Sequence, residues 1–249
     1  MATQRPSFIC ASCLRTLKST AKPQTVRQFT STTTYNANQE EDLPRWKQPP
    51  PAMKMPIRLR PVPKQPTWRV NTDEEKLNDA YDKFLGGISG RTRGRDLLDE
   101  ETKWLAITHK SHSHGRLGFN DRLAYLGKRI VDLQTSLALL SSPSSPLTSA
   151  FDPNHVYSHP SLEGLENISV QNKVQVLDKV RMAKLAGMYG LDGVVRWKPK
   201  KSDNLEGSGV NTVLAHTIYS IVGAVAMQKG GEVAARVARE RVLQPLGLR

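Results

Sequence analysis

The stretch that decides the fold is Asn120–Lys128, NDRLAYLGK. It opens a run in which Leu123, Leu126, Ile130, Leu133, Leu137 and Leu140 recur at spacings of 3, 4, 3, 4 and 3, the period of one apolar helix face. The run stops in SSPSSP at Ser141–Pro146. Being short, it reads as the core face of a domain rather than a coiled coil. On the same helix positions 121, 124 and 128 are spaced i, i+3, i+7 and share a further face. That face carries Asp121, Ala124 and Lys128: one carboxylate, one methyl group and one ammonium.

Three other segments fall around this one: WLAITHKS at Trp104–Ser111, MAKLAGMYGL at Met182–Leu191 and AHTIYSIVGA at Ala215–Ala224. In this order and spacing the set resembles the ribonuclease III family, whose signature reads approximately L-x-x-A-L-T-H-x-S, then N-E-R-L-E-F-L-G-D, then L-A-x-x-A-x-x-x-G-L and A-D-T-V-E-A-L-I-G-A. The resemblance covers the chain from about residue 75 to the C-terminus. It implies an all-α fold, a ribonuclease III endonuclease-domain-like helical bundle, here with an extended N-terminal arm. In that family the second Glu and final Asp of the signature helix, with the Asp and Glu of the later helix, hold Mg²⁺. The matching positions here are Ala124, Lys128, His216 and Tyr219. Two-metal phosphodiester hydrolysis needs oxygen ligands for a hard cation, and none of these four is a carboxylate. The resemblance therefore implies an inactive member, with no catalytic, cofactor or metal residues. It also implies pairing of two such domains through the signature helix, with an aromatic inserted into the partner; Tyr125 stands at that position.

Charge is unevenly distributed along the 249 residues, whose formal net charge is +13. Residues 1–70 carry 12 Lys/Arg against 3 Asp/Glu, whereas 71–249 carry 24 against 20. Residues 1–34 contain Arg5, Arg15, Lys18, Lys22 and Arg27, many Ser and Thr, and no acid, the composition of a mitochondrial transit peptide. Within it VRQFTSTTTYN, starting at Val26, looks like a matrix-processing region. Cys10 and Cys13 form a lone C-x-x-C inside this segment. No second ligand pair completes a zinc set.

Residues 35–72 form a Pro-rich basic arm, with prolines at 44, 49, 50, 51, 56, 61, 63 and 66 among Arg and Lys. Proline prevents helix continuation and favours an extended chain. Its Trp46, Lys54, Arg58, Arg60, Lys64, Trp68 and Arg69, with Arg91, Arg93 and Arg95 of the following SGRTRGR loop, are the RNA-binding candidates, since cations neutralise phosphates and indoles stack on bases. A second basic loop spans 196–201.

Residues 73–249 are expected to hold the helical domain. Thr72 and Glu75 read as a capping box for a helix over about 73–85, ended by Gly86 and Gly87. Further helices are expected over 99–109, 170–189, 210–227 and 232–243, the last exposing Arg236, Arg239 and Arg241. Gly207–Gln228 carries no formal charge but holds eight polar side chains, which favours a buried helix over a membrane span. His109, His112 and His114 cluster without an acid, and His109 belongs to the T-H-x-S segment as a packing and hydrogen-bonding residue. No G-x-S-x-G elbow or phosphate loop occurs. No double-stranded-RNA-binding domain is expected after Arg249.

Import signal, basic arm and acid-stripped domain together resemble ribonuclease-III-like large-subunit proteins of the mitochondrial ribosome, of the fungal kind. That resemblance implies a structural constituent in the mitochondrial matrix that contacts rRNA and pairs with a paralogous ribonuclease-III-like subunit, a heterodimer, without a membrane span. The alternatives are a mitochondrial RNA-processing ribonuclease using acids such as Asp121, Asp132 or Glu163, and a ribosome-assembly factor.

Overall fold

α1 spans Glu74–Leu85 and starts at Asp73, whose carboxylate accepts from the Glu75 amide at 3.2 Å. The cap is therefore Asp73 and not Thr72. Asn71 fixes it by accepting from the Asp73 amide at 3.0 Å, and Asp caps at least as well as Thr. Leu77, Ala80, Tyr81, Phe84 and Leu85 give α1 its buried stripe, and Gly86 and Gly87 end it as expected, Gly87 at φ +80.

The structure, a computed structural model, describes residues 44, 48, 68–88, 90, 92–142, 159 and 164–248. The chain divides into Met1–Glu41 and Asp42–Arg249, and the described residues all fall in the second part. The expected transit peptide, both cysteines and most of the arm lie outside them. Among the described residues the fold is all-α, its single β-type pairing being an isolated parallel bridge between Thr108 and Arg196.

After α1 come α2 (Glu100–Ile107), α3 (Asp121–Ser141), α4 (Val170–Val176), α5 (Lys179–Met188), α6 (Val210–Lys229) and α7 (Gly231–Val237). The helical pattern over 170–189 breaks into α4 and α5 because Leu177 leaves helical geometry and the Asp178 carboxylate caps a new start at Lys179 by accepting from the Val180 amide. After α7 the chain continues in π-helical turns over Ala238–Leu243.

α6 is the central element. Its buried residues, among them Val213, Leu214, Ile218, Ile221, Val222, Ala224 and Val225, face more than one direction, and it packs against α2, α3, α5 and α7. By length and composition α6 could cross a membrane, but most of it is buried inside the domain. Each fully buried Val, Leu or Ile side chain among them contributes about 1.5–3 kcal/mol. With α1, Trp104, Ile107, Met182, Leu185 and Val242 these residues make the core.

α3 departs from the periodicity reading. Its buried residues are Ala124, Gly127, Val131, Gln134, Thr135 and Leu139. Leu123, Leu126 and Ile130 are half-buried, and Leu133, Leu137 and Leu140 are exposed. The leucine stripe is thus a flank of the core at its start and outer surface at its end. Small residues on the neighbouring face bring α3 against α6 more closely than leucines permit.

Arg236 and Arg241 are a second departure, because they are half-buried rather than exposed. Arg236 donates to the Ile88 carbonyl at 3.3 Å and Arg241 to that of Gly86, so both pin the loop after α1. Arg239 alone of the three is exposed.

Candidate functional site

α3 and α6 cross where neither helix has a side chain. A Cβ on Gly127 would lie 1.8 Å from the Tyr219 carbonyl oxygen, and one on Gly223 would lie 2.0 Å from that of Leu123. Backbone meets backbone, and glycine is required at both points. The crossing brings together Ala124 and Lys128 of α3 with His216 and Tyr219 of α6. With Asp121 they line one open cavity of about 840 Å³, whose further wall comes from α4 and the start of α5, including Lys173, Val174 and Lys179. The four positions that the sequence places at the family's metal site therefore share one cavity.

Asp121, which lines the cavity together with Asp132 and Asp178, is already engaged. Its Oδ1 lies 3.2 Å from His216 Nε2 and its Oδ2 lies 3.6 Å from Lys110 Nζ. His109 stands edge-on to His216, ring centres 5.9 Å apart. Burial lowers the pKa of His216 against the upward pull of Asp121. Burial and the neighbouring His216 lower His109 likewise. Burial and the charge of Asp132 push the Tyr219 phenol up to about 12. At neutral pH His216 thus presents a neutral imidazole to the cavity and Tyr219 a neutral phenol. A hard divalent cation needs several oxygen ligands, and the four matched positions supply no carboxylate. Among the described residues no three His, Cys, Asp or Glu side chains converge on a point that could hold a metal.

The signature residues around the cavity build the frame. Asn120 is buried and, instead of capping α3, donates to the Ala106 carbonyl at 2.9 Å, where Ser220 also donates. Thr108 donates to the Trp104 carbonyl at 2.6 Å and accepts from the Asn120 amide at 3.0 Å. His109 Nδ1 sits 3.0 Å from the Ser111 hydroxyl, a hydrogen-bonding role as the resemblance implies. His112 lies 3.2 Å from the Arg196 guanidinium, and burial with that charge pushes its pKa down to about 4. His114 is exposed, at φ 53.

The RNA-binding candidates separate. Trp46, Lys54, Arg58, Arg60, Lys64 and Arg91 lie outside the described residues. Arg69 and Arg93 are exposed. Trp68 packs against the core, edge-on to Trp197 with ring centres 5.9 Å apart. Arg95 is committed to Asp82: its amide and its Nε each donate to that carboxylate at 2.7 Å, and its Nη2 lies 2.5 Å away. Burial raises Asp82, but the hydrogen bonds and charge of Arg95 outweigh it and hold the carboxyl below its usual range. Arg95 is a fastening of the loop to α1 and not a free cation. Tyr125 is 66% exposed on the cavity rim, with Arg129 5.1 Å over its ring. The glycine crossing escaped the sequence reading, although both glycines sit inside the motifs it used, at the G of LAYLGK and of SIVGA.

Residues 99–246 match the family described as Ribonuclease-III-like. Over 216 residues the chain is 38% identical to large ribosomal subunit protein mL57 of Neurospora crassa, a match spanning 85% of this chain and 79% of that protein. Among solved structures, the nuclease domain of ribonuclease III from Campylobacter jejuni aligns at 20% identity with a TM-score of 0.44, over 72% of this chain and 99% of that one. A second structure of that domain, concerned with flexibility in the region of dimer formation, aligns at 21% identity with a TM-score of 0.41, over 66% and 96%.

Proposed function

This chain belongs to the ribonuclease-III-like family, and from that premise we propose that it is a structural constituent of the large subunit of the mitochondrial ribosome. The observation that carries this is the 38% identity across 85% of the chain to a protein named for the large ribosomal subunit. The composition of residues 1–34 supports import into the matrix. Removal of roughly the first 30 residues on import is readable by N-terminal sequencing of the mature protein.

In this role the domain is a scaffold without nuclease activity. The cavity chemistry supports that: Ala124, Lys128, His216 and Tyr219 offer no carboxylate, and Asp121 is held by His216 and Lys110. The domain contacts rRNA through its basic arm and loops, and it pairs with another ribonuclease-III-like subunit through the α3 face. Exposed Tyr125, Leu133, Leu137 and Leu140, beside exposed Val170 and Val174, support that pairing, since contiguous apolar surface of this kind marks interaction sites.

Sedimentation tests the main reading. The tagged protein follows the mature large particle through a moderate salt wash; release into light fractions would favour a transient assembly factor. Pure protein with duplex RNA and Mg²⁺ tests the second part, with no cleavage expected. Turnover abolished by Asp121→Asn would overturn the scaffold reading.

A further inference from the structure

Three segments far apart in sequence meet at the Thr108–Arg196 bridge. The His109 amide donates to the Arg196 carbonyl at 2.9 Å and the Arg196 amide to that of Ile107 at 3.0 Å. The Lys198 amide donates to the Ser111 hydroxyl at 3.1 Å. Trp68 meets Trp197 edge-on. Segments 68–70, 108–116 and 196–201 together hold Arg69, Lys110, Arg116, Arg196, Lys198, Lys200 and Lys201, and no Asp or Glu.

Several of these cations have internal work. Arg196 is buried, its guanidinium 5.3 Å over the Trp104 ring, and Lys110 reaches Asp121. Arg69, Lys200 and Lys201 are exposed, and Lys198 is half-buried. The chain alternates as it leaves Arg196: Trp197 and Pro199 are buried while Lys198 and Lys200 stand outward. In extended backbone such neighbours are about 6.5 Å apart on one side. The strip is held at both ends, by Ser111 at Lys198 and by Ser208, whose hydroxyl accepts from the Lys201 amide at 2.9 Å.

The geometry points to this strip, Arg69 with Lys198, Lys200 and Lys201, as a preformed binding surface for an RNA phosphate backbone. The inference rests on the rRNA contact proposed above and assigns it to a folded surface besides the arm. Cations fixed on an anchored backbone lose little freedom on binding, and a row of them neutralises successive phosphates. A protein partner fits less well, because protein interfaces are depleted of charge at their centres. Among the described residues, six of the twelve exposed large apolar side chains, which suit such a partner, lie instead on α3 and α4.

Fluorescence anisotropy of the full chain with a labelled RNA duplex of about 20 base pairs tests this across roughly 50–200 mM salt. Combined Arg69→Gln, Lys198→Gln, Lys200→Gln and Lys201→Gln should weaken binding at least about tenfold and lower the slope of log K against log salt by about 3. Circular dichroism checks that this variant folds. If it does not, Lys200→Gln and Lys201→Gln made singly should each lower the slope by about 0.8. Wild-type affinity in these variants, with loss only on Lys54, Arg58, Arg60 and Lys64→Gln, overturns the strip and leaves rRNA contact standing. A wild-type chain that binds no RNA overturns both. A polyglutamate peptide held as tightly through the same four residues overturns the assignment to RNA.

Discussion

The two faces of α3 obey opposite rules. The face toward α6 is built from small residues, Ala124, Gly127, Val131 and Thr135, and is buried. The other carries Leu133, Leu137 and Tyr125, large apolar side chains left in solvent. Hydrophobicity alone ranks them the wrong way round. What decides is how close the neighbouring helix comes: at Gly127 and Gly223 a Cβ would strike a carbonyl oxygen, so any side chain is excluded at the crossing itself, and leucine enters the buried face only at its far end, as Leu139. Under the proposed pairing, the apolar side chains that remain outside are the surface offered to a second body.

The largest expected effect comes from breaking the inner face. Gly127→Val, or Gly223→Val, forces apart two helix backbones that no rotamer change can relieve. It should cost about 3 kcal/mol or more, lowering the melting temperature by about 10 °C or preventing folding. Melting within 2 °C of wild type would mean that the crossing is looser than described.

Tyr125→Glu strikes the outer face and should leave the isolated domain's stability nearly unchanged. In the assembled pair it places a charge in a desolvated interface and should weaken co-purification with the partner by several kcal/mol. A folded variant that keeps its partner at wild-type affinity would show the pairing face to be elsewhere.

Asn120→Ala removes the buried side chain that holds the start of α3 to the Ala106 carbonyl. The expected loss is about 1–2 kcal/mol, measured by denaturant unfolding. Leu137→Ser, by contrast, should change the stability of the free domain by no more than about 0.5 kcal/mol. A loss as large as that of Asn120→Ala would return the leucine stripe to the core.

The smallest effect is read against pH. Burial lowers His216, His109 and His112. Each is neutral in the fold, while in the unfolded chain it binds a proton near its ordinary value of about 6.5. The unfolded state therefore binds more protons as pH falls through 6.5 toward the folded values, and stability falls with it. The melting temperature should drop between roughly pH 7.5 and 5.5, and His112→Gln should flatten part of that drop. Equal slopes in wild type and variant would show that His112 contributes nothing to it.

The helical class, the order of elements and the four altered positions were legible in the sequence because they rest on local properties: 3.6-residue periodicity, glycine punctuation and side-chain identity at matched motif positions. Ala124, Lys128, His216 and Tyr219 declare their lack of carboxylates without any coordinates. The cap at Asp73, the break at Asp178 and the inward turn of Arg95, Arg236 and Arg241 were not legible. Each depends on which of several adequate donors or acceptors the folded chain brings within reach. Trp68 shows the same limit: as a residue of a basic arm it suggests base stacking, and it is Trp197, nearly 130 positions away, that gives it a place against the core.

By itself, then, the sequence determined that this is an all-α chain with no acid at positions 124, 128, 216 and 219, since identity and period survive without three-dimensional context. Only the tertiary structure decided which face of α3 is inside, that positions 124, 128, 216 and 219 share one cavity, and that the segments of residues 69 and 198–201 meet through Trp68 and Trp197. These are facts of approach between distant segments. They are set by how near two backbones come, and a linear pattern carries no distance.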